Sequence, residues 1–427
     1  MMAHRPRFEP SPGLVAEWHL SLPDLVCPGF RFREPSLEDA ERLADAFGPE
    51  AASRLGIAAP GARDEWMDFV AGVRTRRAAR QTVCYAVVPD ASAEVAGLIL
   101  LQRLAPRSRA ATVSFAFSEA HRATDLPAAS AACMLAFAFQ AVGLGRVEGR
   151  AGASWEFKAV RRLGAVTEGV LRQSQRVGGG FSDQILWSVL ATEWSHPDHS
   201  APSVLVPGEE KHPMPGAPSG GRDVKRPAWT LRLPTLESSL VTLREIDTDD
   251  VPALLDSLEP ADIEIAFEPA PTTPDEFRRY VSWVRSRRTE GRAAGFAIVP
   301  RGSGQAAGLL QVGRTDVPGA VAEWGIVLAR RHRGTGAAFE AARLMAGFAF
   351  ETLGVHRLET RASRISPGSI SLLRKLGAVH EAHLRQSFAH GSEVVDDDLW
   401  AILKSDWPGR HPVSSLRIGD TTPTHAH

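Results

Sequence analysis

Six residues in the second half of the chain, Arg331-His332-Arg333-Gly334-Thr335-Gly336, set two arginines and a histidine against two glycines spaced one residue apart. They stand between an apolar stretch, Val321–Leu328, and an alanine-rich one, Ala337–Leu353, whose pattern predicts a helix. Glycines let a backbone turn tightly and come close to a ligand. The amides of such a loop and of the helix start behind it converge on one spot, with the helix dipole adding to their field. That is a cradle for an anion of the pyrophosphate kind. A glycine turn is also an ordinary way to join a strand to a helix, so its surroundings decide what it means.

The patterning around the loop predicts a strand at Leu240–Arg244 and a helix starting near Asp249-Asp250, where acidic residues suit a helix N-terminus. A second helix is expected over Pro274–Arg288, with Phe277, Tyr280, Val281 and Val284 at helical spacing. Strands Gly295–Pro300 and Ala307–Gly313 follow, joined by the hairpin-like Arg301-Gly302-Ser303-Gly304. After the loop and its helix come a strand Arg357–Ala362, a short helix Ile370–Leu376 and strands His380–Phe388 and Leu399–Leu403. The order predicts an α+β fold, an α/β sandwich with a mixed central sheet flanked by helices.

The chain contains this pattern twice. Phe32-Arg33-Glu34 returns as Leu243-Arg244-Glu245, Tyr85–Pro89 as Phe296–Pro300, and Phe137-Ala138-Phe139 as Phe348-Ala349-Phe350, all at an offset of 211 residues. After Arg150 and Arg361 the offset becomes 213, and Leu163–Val166 matches Leu376–Val379, Leu171–Ser174 matches Leu384–Ser387, and Trp187 matches Trp400. So long a period means a duplicated globular domain. The expected organisation is a first domain over 20–195, a Pro/Gly/Ser/His-rich linker over 196–227, a second domain over 228–407 and a loose tail over 408–427.

With 427 residues, two domains are the first expectation from length alone. Lys+Arg number 49 against 50 Asp+Glu, a balance that argues against a protein gripping nucleic acid or an anionic membrane through bulk charge. The stretch Ala128–Leu144 is too short and too weakly apolar to span a bilayer, and no apolar leader opens the sequence. Cys27, Cys84 and Cys133 are too few and too scattered for a disulfide scaffold or a zinc site, so they are expected as separate buried thiols of a reducing cytosol, with no metal. The expected location is the cytoplasm of a bacterium, the arginine-rich basic set suggesting a high-GC source.

With the loop so placed, the sequence resembles the GNAT superfamily of N-acetyltransferases, in particular its ribosomal-protein alanine acetyltransferase-like branch. The resemblance rests on Arg331–Gly336 as the Gln/Arg-x-x-Gly-x-Gly/Ala loop, on Ala322-Glu323-Trp324-Gly325 ahead of it, and on Glu340-Ala341-Ala342 and Leu353–Arg357 behind it. Ser366–Ser369 and Lys375–Ala378 stand where the branch has Asn-x-x-Ser and Lys-Leu-Gly-Phe, with Ser366 and Ala378 departing from it. It implies tandem GNAT-like domains and an N-acyltransferase moving an acetyl or longer acyl group from acetyl-CoA, or another acyl-CoA, to an amine. The donor site it implies is Ile326, Val327, Leu328, Arg331, His332, Arg333, Gly334, Thr335, Gly336, Ala337 and Ser366.

That chemistry needs a group to take the proton of the amine and one to stabilise the leaving thiolate. The resemblance makes Glu323 the candidate base, directly or through a water. Many relatives use as acid a tyrosine at the position held here by Leu373; Tyr85 and Tyr280, the two tyrosines of the chain, lie outside that stretch. Ser369 is the remaining hydroxyl, either as the thiolate's hydrogen-bond donor or as an N-cap of Ile370–Leu376, and it can be both. The segment between the first two helices, which the resemblance makes the acceptor wall, carries Asp262, Glu264 and Glu268 where the first copy has Ala51, Ser53 and Ile57. They are candidates for holding a cationic acceptor, such as a peptide N-terminus or another amine, or else a solvated acidic loop.

In the first copy Ala123, Asp125 and Pro127 replace Gly334, Gly336 and Ala338, Thr112 replaces Glu323, and Glu156 replaces Ser369. A carboxylate opposing a pyrophosphate and a proline lacking an amide both spoil the cradle, so the first domain is expected to be non-catalytic. Two rivals stay open: an N-acyltransferase fed by an acyl carrier protein in peptide natural-product assembly, and a CoA-binding sensor or scaffold without turnover. A dinucleotide oxidoreductase fits poorly, because no Gly-x-Gly-x-x-Gly follows a strand.

Overall fold

A computed structural model describes residues 18–194 and 227–407, apart from 49–50, 52–53, 56–62, 93, 106, 153, 178, 268–269, 316–319, 365 and 392, together with 204–206. The described residues form two compact units, divided near Gly220–Gly221, and Ala382–Asp397 belongs to the first.

The first unit opens with strands β1 (Asp24–Cys27) and β2 (Phe30–Arg33), then helices α1 (Asp39–Ala46) and α2 (Arg63–Ala78). Strands β3 (Thr82–Pro89), β4 (Gly97–Ala105) and β5 (Ala110–Phe117) form an antiparallel meander. The short α3 (Glu119–Arg122) and α4 (Leu126–Ala136) lead to β6 (Arg146–Ala151), which returns parallel to β5. Helix α5 (Ser154–Arg161) and the hairpin β7 (Val166–Val177) and β8 (Gly180–Leu190) follow. The segment expected as a linker contributes β9 (Val204–Val206), which pairs antiparallel with β1.

The second unit repeats the plan. Strands β10 (Leu236–Glu237) and β11 (Val241–Glu245) precede α6 (Val251–Ser257), α7 (Pro260–Ala266) and α8 (Pro274–Thr289). Strands β12 (Ala293–Pro300), β13 (Gly308–Arg314) and β14 (Val321–Leu328) form the meander, and α9 (Ala337–Gly347) crosses to β15 (Arg357–Ser363), parallel to β14. Helix α10 (Pro367–Lys375) and strands β16 (Val379–His390) and β17 (Glu393–Leu403) close the order. The helix expected to run unbroken over Ala337–Leu353 instead changes at Phe348 into a π-helical turn reaching Leu353.

Each sheet is covered on both faces, which gives the expected sandwich. In the second unit Phe296, Leu310, Trp324, Leu328, Met345 and Phe348 fill the side under α9, while Ile246, Leu254, Phe277, Val281, Leu309 and Val327 fill the side under α6–α8. Strand β14 shows why: Ala322, Trp324 and Leu328 go to one core, Val327 to the other, as alternation along a strand requires. The duplication extends to register. Gly97 opposes Phe117 as Gly308 opposes Leu328, and Ala110 opposes Arg146 as Val321 opposes Arg357. It extends to ion pairs: Arg33 binds Asp39 with both guanidinium nitrogens at 2.7 Å, and Arg244 binds Asp250 at 2.7 and 2.5 Å. Gln173 and Gln386, with φ of 48° and 46°, each donate their amide to an aspartate across the hairpin.

Two further expectations change. Cys27 of β1 and Cys133 of α4 are joined as a disulfide, so only Cys84 is a separate buried thiol; two positions 106 residues apart meet because α4 packs on β1. Likewise Ala382–Asp397, expected as part of the second domain, completes the first unit. There Glu168, almost wholly buried, accepts hydrogen bonds from both terminal nitrogens of Arg146 (2.7 and 2.6 Å), from Ser188 (2.8 Å) and from the Arg385 amide (2.9 Å). Arg385 itself pairs with Glu193 at 2.7 Å. A buried guanidinium needs such company, because isolating a charge from water is strongly unfavourable.

Candidate functional site

The second unit's loop turns as its glycines require. Ala329 leads into a 3-10 turn, Arg330–His332, and Gly334 and Gly336 then take φ of +77° and +88°. A side chain strains in that region, whereas glycine does not. Gly336 is the N-cap of α9, and its carbonyl accepts the Glu340 amide at 3.0 Å. Of the first amides of α9, which a helix leaves without intrahelical partners, that of Ala337 donates to Thr335 Oγ1 at 3.3 Å. Thr335 Oγ1 donates to the His332 carbonyl at 2.8 Å and fixes the turn from inside. Arg331 Nε donates to His332 Nε2 at 3.3 Å. Partial burial, and next the Arg331 charge, hold the His332 imidazole below its ordinary pKa, in the neutral form that accepts that bond.

Beside the loop the parallel pair β14–β15 separates. Its ladder covers Val321↔Arg357, Ala322↔Leu358 and Glu323↔Glu359, although β14 runs on to Leu328 and β15 to Ser363. In the first unit the ladder goes one pair further, to Val113↔Gly149. At the corresponding place the Thr360 hydroxyl donates to the Trp324 carbonyl at 2.8 Å. Beyond it, the edge of β14 from Gly325 to Leu328 faces the gap. Val327 and Leu328 are buried and Ile326 packs on the core, so what these three offer a ligand is backbone.

Glu323 stands where the ladder ends. Its side chain is 28% exposed, and Oε1 lies 4.0 Å from Arg361 Nε. The face it shares with Gly325 is covered by α7 and α8. A Cβ on Gly325 would sit 2.7 Å from the Ala266 carbonyl oxygen, so α7 rests directly on the strand there. The Tyr280 hydroxyl reaches Gln311 Oε1 at 2.8 Å, and Gln311 is the register partner of Gly325. Burial pushes the Tyr280 phenol well up, so it stays protonated and donates. Phe267 stacks edge-on against Tyr280, which in turn packs on Trp283.

Ser366 and Ser369 share a hydrogen bond at 2.8 Å. The helix begins at Pro367, with Ser366 as its N-cap, because a proline at the first turn presets the helical φ. Ser369 lies inside the helix, which removes its N-cap role. The acidic candidates separate too. The stretch expected as a joining segment is partly the helix α7. Asp262 on it is held by Arg333 at 2.6 Å and approached by Arg330 at 3.6 Å; Glu264 is half-buried on the same helix, and Glu268 lies outside the described residues. Sequence reading missed Tyr280, Gln311, Thr360 and the role of Arg333, whose partners are distant in the chain. The spacing of Tyr280 on an amphipathic helix was visible, but its target was not.

The first unit is built differently at the matching place. Glu156, buried, pairs with Arg54 at 2.7 Å and accepts the Gly152 amide at 2.8 Å, and Arg54 lies over the Trp155 ring. Asp125 caps α4 from an exposed position near Arg162. Among the described residues no three His, Cys, Asp or Glu side chains converge as a metal site, and no helix is long and apolar enough to cross a membrane.

Comparison with known proteins finds that the model of the Acetyltransferase (GNAT) domain matches residues 30–154 and again 241–379. An uncharacterized N-acetyltransferase p20 of Bacillus licheniformis is 25% identical over 176 residues, covering 41% of this chain and 99% of that protein. Among solved structures, a putative acetyltransferase from T. thermophilus is 26% identical, covering 41% of this chain and 92% of its own, with a TM-score of 0.36. Mycobacterium smegmatis RimJ in complex with CoA-disulfide is 22% identical, covering 41% and 88%, with a TM-score of 0.35.

Proposed function

The chain belongs to the acetyltransferase (GNAT) family and is an acyltransferase that takes acyl groups from CoA thioesters to amines, and from that premise we propose that the second unit alone is catalytic. Arg331–Ala337 binds the pyrophosphate of acyl-CoA, and the backbone of Ile326–Leu328 receives its pantetheine arm along the open edge of β14. The acceptor amine enters on the face of Glu323, against α7 and α8.

The amine attacks the thioester carbonyl, so a C–N bond forms and the C–S bond breaks. Glu323 takes the proton the nitrogen sheds, directly or through a water, and the departing sulfur leaves as a thiolate. Ser369 donates a hydrogen bond to that sulfur, with Ser366 holding its hydroxyl from the other side. Removing the base is expected to slow turnover by about ten- to ten-thousand-fold.

One contrast supports this reading above all. The second unit has left-handed glycines in its loop and a glutamate where the β14–β15 ladder ends, whereas the first has Ala123 and Asp125 in the loop and a buried Arg54–Glu156 pair at the place of Ser369. The first unit is therefore a non-catalytic copy. Calorimetry with CoA should give one site per chain; two comparable sites would refute the assignment. Mass spectrometry of the purified chain with acetyl-CoA, longer acyl-CoAs or acyl carrier protein, against pooled peptides and amines, would name donor and acceptor.

A further inference from the structure

The Asp262 carboxylate bonds Arg333 Nη2 at 2.6 Å and lies 3.6 Å from Arg330 Nε, so a residue of the acceptor-side helix α7 grips both ends of the 3-10 turn that carries the loop. Its side chain is 16% exposed. Arg333 is also fixed from the other side, because its Nε donates to the Leu328 carbonyl at 3.1 Å. One helical turn along, the Ala266 carbonyl rests against Gly325. Helix α7 thus touches both the loop and the strand edge.

The first unit provides a control built into the same chain. Arg122, the counterpart of Arg333, makes the same contact: its Nε donates to the Phe117 carbonyl at 3.1 Å, and Phe117 is the counterpart of Leu328. The matching position carries no carboxylate, since Ala51 stands where the second unit has Asp262, and Glu119 stands at the place of Arg330. The arginine-to-carbonyl contact therefore survives in a copy without the loop glycines, and the carboxylate clamp does not. A contact needed only for folding would have been kept with the arginine.

We infer that Asp262 is a positioning residue for the donor site, clamping Arg333 and Arg330 so that the loop holds the shape in which its amides face the acyl-CoA pyrophosphate. This rests on the assignment of the loop to CoA. It moves Asp262 from the acceptor, for which it was a sequence candidate, to the donor. Two guanidiniums against one carboxylate leave the cluster net positive, so an anionic ligand is still drawn to it.

The test uses the full chain, CoA by calorimetry and steady-state kinetics with whichever acceptor the screen identifies. Asp262→Asn should weaken CoA binding and raise KM for the acyl-CoA by roughly two- to fivefold, about the upper worth of a part-exposed ion pair. The kcat at saturating acyl-CoA should stay within twofold, and Asp262→Glu should restore most of the affinity. Arg333→Met should weaken CoA similarly, and the double variant should be no weaker than the worse single one. Unchanged CoA affinity in Asp262→Asn, or a rise in KM for the acceptor alone, would overturn the inference and leave the CoA assignment standing. Failure of the wild-type chain to bind CoA would sink both.

Discussion

Gly336→Ala tests the donor loop most directly, because its penalty can be worked out beforehand. Gly336 has φ +88° and ψ −11°, where an L side chain is strained by about 1–2 kcal/mol. The new Cβ would also lie 3.1 Å from Leu240 Cδ1, but Leu240 is 41% exposed and can move, so strain dominates. The strain must appear in one of two places. If the loop keeps its shape, the folded unit loses about 1–2 kcal/mol and its melting midpoint falls by roughly 2–8 °C with CoA affinity intact. If the loop relaxes, stability is spared but the amides no longer converge, and CoA binding weakens by about 5- to 30-fold. We expect chiefly the second, since the loop from Arg333 to Gly336 is exposed and can relax. Calorimetry and thermal melts on one preparation measure both parts. A variant that binds CoA within twofold of wild type and melts at the same temperature would refute the role of the loop.

Glu323→Gln should keep CoA binding while lowering kcat by about ten- to ten-thousand-fold, and Ser369→Ala should lower it less, since water can partly replace a hydroxyl; full activity of the Gln variant at neutral pH would place the base elsewhere. A fragment spanning Lys225–Trp407 should be poorly soluble or far less active than the whole chain, because Arg385 loses Glu168, Ser188 and Glu193 together. A soluble, monomeric and fully active fragment would refute that. Arg285, and next the Asp249 amide, hold the Asp247 carboxyl at about 2. Its folded pKa lies below the ordinary 3.8, so its contribution is present above about pH 4 and is lost as pH falls toward 2. The pair is well exposed, so Asp247→Asn should flatten the acid limb of a stability curve by under ~1 kcal/mol.

Long elements with clear alternation were legible. Strand Val321–Leu328 was expected at the bounds it has, and the duplication let weaker strands be placed by their copies. Helix α7 was not, because seven residues carrying Asp262 and Glu264 give too little periodicity to separate a helix from a polar loop. Ser369 resembles an N-cap in the sequence because the apolar run begins at Ile370, whereas the helix starts three residues earlier, at Pro367. The loop itself was readable since its backbone demands are local and glycine-specific. The partners of Arg333, Tyr280 and Glu168 were not, since each pairing joins positions far apart in sequence that only the sheet brings together. The burial of Glu156 against Arg54 belongs to the same class, visible beforehand only as a lost serine.

The placement of Ala382–Asp397 in the first unit has a consequence for synthesis. Glu168 and the Arg385 amide that bonds it are 217 residues apart, so the carboxylate leaves the ribosome long before its last donor is made. At about 5–20 residues per second that interval is on the order of ten to forty seconds. The first unit therefore cannot complete this hydrogen-bond set before the second is made. Arg146 and Glu168 stay short of their full set of partners until Arg385 has emerged. Premature stops or slow codons between Glu168 and Arg385 would then damage the unit that holds Glu168.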